Sequence, residues 1–500
     1  MSGLETYFDK FRKNVIGIDK NIHTPFGEKK LVYADWTASG RLYKPIEDKL
    51  VNEIGPFVAN THTESNATGT TMTRAYHRAQ KIIKEHCNAA KSDVIITTNS
   101  GMTGVVNKFQ RILGMKICEK LLPFAQIPEE ERPVVFVTHM EHHSNQTSWL
   151  ETIATVECIS PNKDLEVDLE FLEQLLERYK DKRIKIAAVT GCSNVTGIST
   201  PYYAIAEKMH QHGGLCFVDF AASAPYVEID MHPENPLHKL DAIYFSPHKF
   251  LGGPGTTGAL IFDSALYSNK VPDHPGGGTV SWTNPWGGHS YTEDIEARED
   301  GGTPAFLQTI KAALCIQLKE EMGIENMIRR EKELLEIIFT RLEKMKGVHI
   351  LAAETKERLG IFSFYIDGLH YNLGVKLLND LFGIQTRGGC SCAGTYGHYL
   401  LNVTPDVSKM ITDKINTGVN DLKPGWIRLS IHPVMTNKEI EFIMDSIEHV
   451  ADNFEDYLDS YIYDPKTNEF NHISKSDPDT DRALSWFATK EIKETVAIGK

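Results

Sequence analysis

Hydrophobic and polar positions between residues 94 and 262 follow a pattern that is typical of alternating strands and helices. Short apolar runs that end in polar residues predict buried strands of a parallel sheet. Stretches with apolar residues three or four positions apart predict helices between these strands. The predicted strands are residues 94–97, 134–138, 155–159, 184–189, 215–218, 242–245 and 258–262. Seven strands interleaved with helices predict a large doubly wound α/β domain with a mainly parallel sheet.

The pattern changes after residue 300 and predicts a smaller α/β C-terminal domain. Two long helical stretches are followed by shorter apolar runs, so we expect helices and a few strands there. The resulting division has a large domain over residues 31–300 and a small domain over residues 301–453. Residues 1–30 contain a short amphipathic stretch that we expect to pack on the small domain. Residues 454–500 lack a sustained period over most of their length, and no role is predicted for this extension.

Composition and charge narrow the class of protein further. The chain has 500 residues with 53 basic and 67 acidic side chains, and its net charge of −14 argues against a nucleic-acid-binding surface. No apolar run approaches the length of a membrane span, and the N-terminus lacks a basic and then apolar signal segment. Eight cysteines in a chain of this size need no disulfide framework. We therefore expect a reduced, cytoplasmic protein with neither membrane nor nucleic-acid partners.

Asp219 and Lys249 are the first candidates for chemistry, because each follows a predicted strand of the sheet. Parallel sheets bind ligands at the carboxyl ends of their strands. Lys249 is flanked by Ser246 and His248 and is followed by a loop rich in glycine. A lysine near an acid at such an edge suits a Schiff base with pyridoxal 5′-phosphate (PLP), in which the acid faces the pyridinium nitrogen. A surface lysine or a simple phosphate contact is the alternative interpretation of Lys249.

Other strand ends carry residues that suit the same ligand. Residues 99–104 form a turn with Gly101 before a helix, and a helix N-terminus of this kind binds anions. His142 and His143 follow the next strand, where an imidazole either stacks on a flat cofactor or lies in a plain surface loop. A metal site is disfavoured because adjacent histidines diverge on any regular element. Residues 31–40 predict a strand and a loop of small residues, which either let a ligand approach or form a simple turn.

Four motifs, in this order, resemble those of fold-type I PLP enzymes of the class V aminotransferase group. Within that group they are most similar to the cysteine desulfurase and selenocysteine lyase branch. The resemblance covers most of the chain, from about residue 31 to about residue 450. The motifs are Glu141-His142-His143-Ser144-Asn145, Asp219 with Ser246-Pro247-His248-Lys249, Gly302-Thr303-Pro304, and the loop from Arg387 to Cys392. The resemblance implies a fold-type I PLP-dependent transferase that forms a homodimer.

The resemblance also implies roles for individual residues. Lys249 would form the Schiff base, Cys392 would be the sulfur-accepting nucleophile, and His142 would stack on the cofactor ring. Thr303 would reach the phosphate of the cofactor in the neighbouring subunit. The cofactor-binding residues would be Gly101, Met102, Thr103, His142, Asn194, Asp219, Ser246, His248, Lys249 and Thr303, and the substrate-binding residues Arg428, Arg387 and His62. No metal ligand is expected.

Together, these implied roles predict an enzyme that removes sulfur from L-cysteine, or selenium from selenocysteine. Alanine would be released, and Cys392 would carry a persulfide that a protein sulfur acceptor removes. Two departures from the family pattern bear on the substrate. Ala222 stands where a glutamine is usual, and the Cys390-Ser391-Cys392 loop is similar to the sulfurase domain of molybdenum-cofactor sulfurases.

Two alternative functions are open at this point. The first is a class V aminotransferase or C–S lyase that acts on another amino acid, with Cys392 outside the chemistry. The second is a protein without catalytic activity that uses Cys390, Cys392 and His398 as a metal-binding or redox element. The gap of one residue between the two cysteines is tight for a tetrahedral metal site, which disfavours this second function.

Overall fold

The N-terminal residues form short elements in the computed structural model, which describes residues 3–61, 63–474 and 478–487. These elements are helix α1 (Gly3–Arg12), strands β1 (Asn21–Thr24), β2 (Gly27–Lys30) and β3 (Val32–Tyr33), and helix α2 (Lys44–Lys49). The Arg12 guanidinium donates two hydrogen bonds of 2.6 Å to the Glu439 carboxylate. Helix α1 is therefore anchored to residues of the predicted small domain, while the domain boundaries themselves stay a prediction.

The seven strands predicted for the large domain form one sheet. They are β4 (Val94–Thr98), β5 (Val134–Thr138), β6 (Thr155–Ile159), β7 (Lys185–Thr190), β8 (Leu215–Asp219), β9 (Ala242–Phe245) and β10 (Gly258–Phe262). Their order across the sheet is β4-β10-β9-β8-β7-β5-β6, and β10 runs antiparallel to both of its neighbours. The remaining neighbours pair in parallel. The mainly parallel seven-stranded sheet is confirmed, with strand bounds that differ from the predicted ones by at most about one residue.

Helices cover both faces of this sheet, which explains why its strands are almost continuously apolar. The helices are α3 (Ala67–His86), α4 (Gly101–Ile112), α5 (His143–Leu150), α6 (Leu169–Arg178) and α7 (Tyr202–Gln211). On one face Phe217 packs with Phe109 and Trp149, and all three side chains are fully buried. Burial of a large apolar side chain contributes about 1.5–3 kcal/mol, so these layers hold the strand ends in a fixed arrangement.

A hairpin follows the large sheet, in residues whose glycine, proline and tryptophan content predicts loops. It consists of β11 (Val280–Thr283) and β12 (His289–Tyr291), and α8 (Ile295–Arg298) follows it. Most residues of β11 are exposed, so the strand has no alternation of buried and exposed positions to indicate it. Buried Lys108 of α4 donates to Glu299 at 2.7 Å and ties the end of this segment to the large domain.

The second lobe contains a smaller antiparallel sheet. The elements of this lobe are α9 (Phe306–Met322), α10 (Ile324–Leu342), β13 (Val348–Ile350), β14 (Ile361–Ile366), α11 (Tyr371–Phe382), β15 (Ile384–Gln385), β16 (Arg387–Gly389), α12 (Gly394–Leu400), α13 (Pro405–Asn416), β17 (Trp426–Ser430) and α14 (Asn437–Asn453). The order of the sheet is β13-β14-β17-β16, while β15 pairs in parallel with β3 of the N-terminal segment. Helix α13 is not among the predicted elements, although its N-cap Thr404 and its first residue, Pro405, are start signals of a helix.

The C-terminal extension contains an ordered hairpin of strands β18 (Tyr461–Asp464) and β19 (Glu469–His472), followed by helix α15 (Pro478–Trp486). The Tyr461 hydroxyl donates to the buried carboxylate of Asp380 at 2.8 Å, so the hairpin lies against α11. The extension therefore packs on the second lobe. Across the helices that the structure describes, none is both long and apolar enough to cross a lipid bilayer.

The buried ion pair between Lys108 and Glu299 predicts a large loss of stability when one partner is removed. The two side chains are 3% and 0% exposed. Lys108→Met leaves the Glu299 carboxylate without its cation and should lower the free energy of unfolding by about 3–5 kcal/mol. Adding Glu299→Gln should recover part of this loss, because it removes the unpaired charge. Urea unfolding followed by circular dichroism measures both effects.

Lys44→Met is the matched control, because Lys44 forms an exposed ion pair with Asp48 at 2.7 Å on α2. Exposed pairs contribute about 0–1 kcal/mol, so this variant should unfold close to the unaltered protein. Equal losses for Lys108→Met and Lys44→Met would contradict a special role for the buried pair.

Candidate active site

A cavity of about 420 Å³ lies at the carboxyl edge of the large sheet. Its wall includes strand ends, the start of α4, and residues of β16 and β17 in the second lobe. The predicted site residues that the structure brings to this wall are Gly101, Met102, Thr103, His142, Asn194, Asp219, Ser246, His248, Lys249, Arg387 and Arg428. Residues that are distant in the sequence therefore meet at one place.

Two predicted site residues among those that the structure describes do not line this cavity. Cys392 is half-buried, and its neighbour Ser391 lines the cavity instead. Thr303 is exposed on the single chain, and its role in the site of a neighbouring subunit stays a prediction. His62 lies outside the residues that the structure describes.

Neighbouring strands deliver Asp219 and Lys249 to the cavity. Asp219 ends β8 opposite Tyr244 of β9, and Lys249 lies in the turn that follows β9. Burial raises the pKa of Asp219 to about 6, although a hydrogen bond of 2.8 Å from the Ala221 N–H and the charge of Lys249 favour the carboxylate. Removal from water lowers the pKa of Lys249 to about 8, against the opposing charge of Asp219. A substantial fraction of this amine is therefore neutral near physiological pH.

The start of α4 forms a cradle for an anion. Gly101 has a positive φ of 60°, and a Cβ atom there would lie 2.9 Å from Ser246 Oγ, so glycine leaves room between the two segments. Ser246 Oγ accepts the Met102 N–H at 2.8 Å, and Thr103 Oγ1 lies 2.7 Å from Ser144 Oγ. Backbone N–H groups, hydroxyl groups and the positive end of the helix dipole all favour a phosphate group here.

His142 contributes a neutral imidazole to the cavity wall. It is the N-cap of α5, and its Nδ1 accepts the Ser144 N–H at 3.1 Å, which places the ring proton on Nε2. Burial lowers the pKa of His142 to about 3, and the charge of Lys249 acts in the same direction. A flat neutral ring suits stacking on an aromatic ligand. Within the described ranges, no three His, Cys, Asp or Glu side chains form a group that could hold a metal ion.

A buried network at the start of α5 joins the ends of three strands of the large sheet. Glu141 Oε1 accepts hydrogen bonds from Thr138 and from the Thr190 N–H. Its Oε2 accepts Asn145 Nδ2 at 2.7 Å, and Asn145 Oδ1 accepts the Tyr244 hydroxyl at 2.7 Å. Burial raises the pKa of Glu141 to about 7. Glu141 thus links strand ends that bound the site.

Arg387 and Arg428 occupy paired positions on the antiparallel strands β16 and β17. Buried Arg428 donates to Asp35 Oδ1 at 2.6 Å and to the Asn194 carbonyl at 3.3 Å, while its Nε has no partner among the described residues. Burial lowers the pKa of Arg428, and Asp35 opposes that shift. Both arginines also lower the pKa of Lys249. Two guanidinium groups at one wall favour an anionic group of a ligand, such as a carboxylate.

The loop that carries Cys392 is held against the large domain. Ser391 and Cys392 have positive φ values of 51° and 59°, which is uncommon for two successive residues with side chains. The Cys392 carbonyl accepts the His143 N–H at 2.7 Å, and the Ser391 carbonyl accepts Asn194 Nδ2 at 2.7 Å. The Gly394 N–H donates to His143 Nε2 at 3.0 Å. The loop therefore has a defined conformation beside the cavity.

Several cavity residues are not indicated as site residues by the sequence. They include Thr190, Cys192 and Thr256. The loop of small residues after β3 does line the cavity, which agrees with close approach of a ligand there. Asp35, in the same segment, forms the ion pair with Arg428. These two partners are 393 positions apart, and a single sequence has no signal for such a pair.

The family model for Aminotransferase class-V matches residues 32–443, which is most of the chain. The chain belongs to the class-V aminotransferase family. The enzymes of this family depend on PLP, so the predicted enzyme class is confirmed. The matched residues include every predicted site residue, from His62 to Arg428.

Curated relatives of this class-V chain are named probable cysteine desulfurase. The relative from Halalkalibacterium halodurans is 28% identical over 367 residues, which cover 73% of this chain and 84% of the relative. The relative from Staphylococcus aureus is 26% identical over 399 residues, which cover 77% of this chain and 91% of the relative. Both relatives are thus matched over most of their length.

Solved structures of two cysteine desulfurases share the fold of this chain. The apo structure of a cysteine desulfurase from Thermococcus onnurineus has a TM-score of 0.71 at 21% identity, and the match covers 89% of this chain and 98% of that chain. The cysteine desulfurase CsdA from Escherichia coli has a TM-score of 0.68 at 21% identity, with the same coverage of 89% and 98%. At this identity the likeness establishes the fold alone, and the fold-type I architecture is confirmed.

The surroundings of Lys249 predict an unusual reactivity of its amine. An ordinary lysine has a pKa of about 10.4, whereas removal from water lowers the pKa of Lys249 to about 8. In protein freed of bound cofactor, trace acetylation by acetic anhydride should reach half of its plateau rate near that lower pH. Arg428→Gln removes a neighbouring positive charge and should move the midpoint to higher pH. Peptide mass spectrometry measures the label at each pH.

Lys163 is the reference for reagent reactivity, because its side chain is exposed. It should be labelled alike in both proteins. A Lys249 midpoint at the ordinary value, or a midpoint that does not rise in Arg428→Gln, would contradict this electrostatic description of the site.

Proposed function

We propose that the protein is a PLP-dependent cysteine desulfurase, which takes sulfur from L-cysteine, or selenium from selenocysteine, and releases alanine. The position of the Cys392 loop supports this activity most directly. The loop is hydrogen-bonded to His143 and Asn194 beside a cavity whose wall includes both Asp219 and Lys249. The names of the curated relatives, probable cysteine desulfurase, agree with this function.

The residues of the cavity fit PLP, which is a flat, phosphorylated aldehyde. Buried Asp219 would hold the ring nitrogen, and Lys249 Nζ would bond to the aldehyde carbon. The cradle at Gly101, with Thr103, Ser246 and His248, would hold the phosphate, and His142 would lie on the ring. Asn194 Oδ1 is buried and has no hydrogen-bond partner among the described atoms, which is the state of a group that a ligand completes.

When bound, PLP supplies an electron sink for negative charge at the α-carbon of an amino acid. Lys249 holds and moves the α-proton, because a pKa of about 8 lets its amine accept and return a proton near neutral pH. Asp219, with a pKa of about 6, is mainly ionised at that pH and keeps a negative charge in the cavity. Arg428 and Arg387 orient the substrate through its carboxylate.

Cys392 accepts the sulfur as a thiolate. Its Sγ forms a bond to the substrate sulfur while the bond between that sulfur and the substrate β-carbon breaks. The electron pair of the broken bond stays with the carbon fragment, which takes up protons and leaves as alanine. The sulfur remains on Cys392 as a persulfide, and a protein sulfur acceptor then removes it.

Substitution of Cys392 tests this activity. Cys392→Ala should lower alanine formation from L-cysteine by about 100-fold or more, because the sulfur has no acceptor. Cys390→Ala is the matched control two positions away and should retain the rate within about threefold. Chromatography of the reaction measures alanine, sulfide and pyruvate together. The visible absorbance of the cofactor, and its trapping on Lys249 by borohydride, show that both variants are loaded.

Two results would contradict the desulfurase. The first is a loaded Cys392→Ala protein that forms alanine from L-cysteine at the unaltered rate. The second is an unaltered protein that yields pyruvate and sulfide, or a transferred amino group, in place of alanine. Those products would favour a C–S lyase or an aminotransferase.

We also propose a homodimer in which Thr303 of one subunit completes the phosphate site of the other. Thr303 is exposed and does not line the cavity of its own chain. It follows Gly302, which has a φ of 89°. Light scattering should give about twice the chain mass of 56.2 kDa. In a refolded equal mixture of Lys249→Ala and Thr303→Ala chains, about a quarter of the sites should be intact.

That fraction follows because half of the dimers are mixed and each has one unaltered site. Each variant alone should have little activity, so activity in the mixture reports sharing between subunits. A monomer in light scattering, or a mixture no more active than the sum of its parts, would contradict the shared site.

A further inference from the structure

The hairpin of the C-terminal extension contacts the residues that support the Cys392 loop. Strands β18 and β19 lie beyond residue 443, where the match to the class-V family model ends. Asn468 lies at the turn of this hairpin, has a positive φ of 60° and is 8% exposed. A buried asparagine in a left-handed turn at the edge of a domain indicates a specific hydrogen-bonding role.

Asn468 joins the hairpin to the start of α11. Its Nδ2 donates to the Tyr371 hydroxyl at 2.7 Å, and its carbonyl accepts Asn372 Nδ2 at 2.5 Å. Its Oδ1 accepts the Tyr463 hydroxyl at 2.8 Å, which fixes the amide from within the hairpin. The side chain of Asn468 therefore connects two elements and leaves neither its donor nor its acceptor unused.

Tyr371 in turn lies directly against the backbone of β16 and of the chain that enters β17. A Cβ atom at Gly425 would be 2.7 Å from the Tyr371 ring, and one at Gly388 would be 3.2 Å from it. Because both positions are glycine, the ring packs on the backbone itself. A displacement of Tyr371 would therefore displace β16, whose last residue, Gly389, directly precedes Cys390.

The hairpin also contacts the chain at Asn420, before β17 begins. Asn420 lies between α13 and β17, and its N–H donates to the Pro465 carbonyl at 2.9 Å. Its Nδ2 donates to the Lys466 carbonyl at 2.8 Å. The hairpin turn thus contacts the chain on both sides of residues 390–419, the segment that includes Cys392.

We infer that the C-terminal hairpin supports the Cys392 loop and that Asn468 is a positioning residue for sulfur transfer. The large domain holds the loop from one side, through His143 and Asn194, and the hairpin holds β16 from the other. Asn468 does not line the cavity, so it acts through Tyr371. The inference rests on the proposed function to the extent that Cys392 is the sulfur acceptor.

Asn468→Gly is the decisive variant, because glycine accepts the positive φ while the side-chain hydrogen bonds are lost. Alkylation of Cys392 by iodoacetamide should become about fivefold faster or more, relative to exposed Cys118 in the same protein. Alanine formation from L-cysteine should fall about tenfold or more, because a small misplacement of a reacting group is costly. Exchange of the α-proton of L-alanine with D2O needs Lys249 but no sulfur acceptor. At saturating L-alanine, the rate of this exchange should therefore stay within about twofold of the rate of the unaltered protein.

Two further variants complete the test. Lys466→Ala is the matched control on the same turn, since its side chain is exposed, and it should leave all three measurements unchanged. Tyr371→Phe keeps the ring on β16 and loses the hydroxyl that Asn468 binds, so it should show the same selective pattern. If a thermal unfolding measurement shows that Asn468→Gly is not folded, Tyr371→Phe tests the proposal in its place.

Two outcomes would contradict this supporting role of the hairpin. One is an unchanged Cys392 alkylation ratio in the folded Asn468→Gly protein, and the other is an equal fall of proton exchange and alanine formation. If the unaltered protein forms no alanine from L-cysteine, the proposed function fails. In that case the alkylation ratio still tests whether the hairpin supports the Cys392 loop, because this measurement needs no substrate.

Discussion

The site depends on holding Lys249 away from bulk water near two carboxylates and two guanidinium groups. Removal from water and the two arginines favour the neutral amine, and Asp219 and Asp35 oppose them. An ionisable group in such a place is costly unless its surroundings are arranged for it. The fold meets this requirement with strand ends, since β8 supplies the acid and the turn after β9 supplies the lysine. The apolar layers and the Glu141 network then keep these two ends in register.

The second lobe contributes positive charge to the cavity, and one of the charged residues also attaches this lobe to the rest of the chain. Arg387 and Arg428 occupy paired positions on two strands, and like charges at paired positions repel each other. The ion pair of Arg428 with Asp35, at 2.6 Å, offsets that repulsion. Asp35 follows β3, which itself pairs with β15 of the second lobe. Arg428, the proposed binding residue for the substrate carboxylate, therefore also attaches the second lobe to the rest of the chain.

The large sheet is predictable from the sequence because burial on both faces turns each strand into a short apolar run that ends in polar residues. Asp219 and Lys249 could be placed at its edge for that reason alone. Asn194 and Arg428 needed the resemblance to a family, because no periodicity distinguishes them from other polar residues of loops and strands. The β11–β12 hairpin is mostly exposed and therefore has no pattern of buried positions, whereas α13 has the start signals of a helix in Thr404 and Pro405. The contacts of Asp35 with Arg428 and of Asn468 with Tyr371 join residues far apart in the chain, and only the fold brings them together.

The conformation of the Cys392 loop explains why contacts on both of its sides matter. A residue with a side chain in the left-handed region costs about 1–2 kcal/mol, and Ser391 and Cys392 adopt it in succession. Such a pair persists when its surroundings outweigh the cost, and both carbonyls are hydrogen-bonded to the large domain at 2.7 Å. Trp426 Nε1 adds a bond of 3.2 Å to Ser391 Oγ from β17. A loop ordered in advance loses little conformational entropy when its thiol reacts.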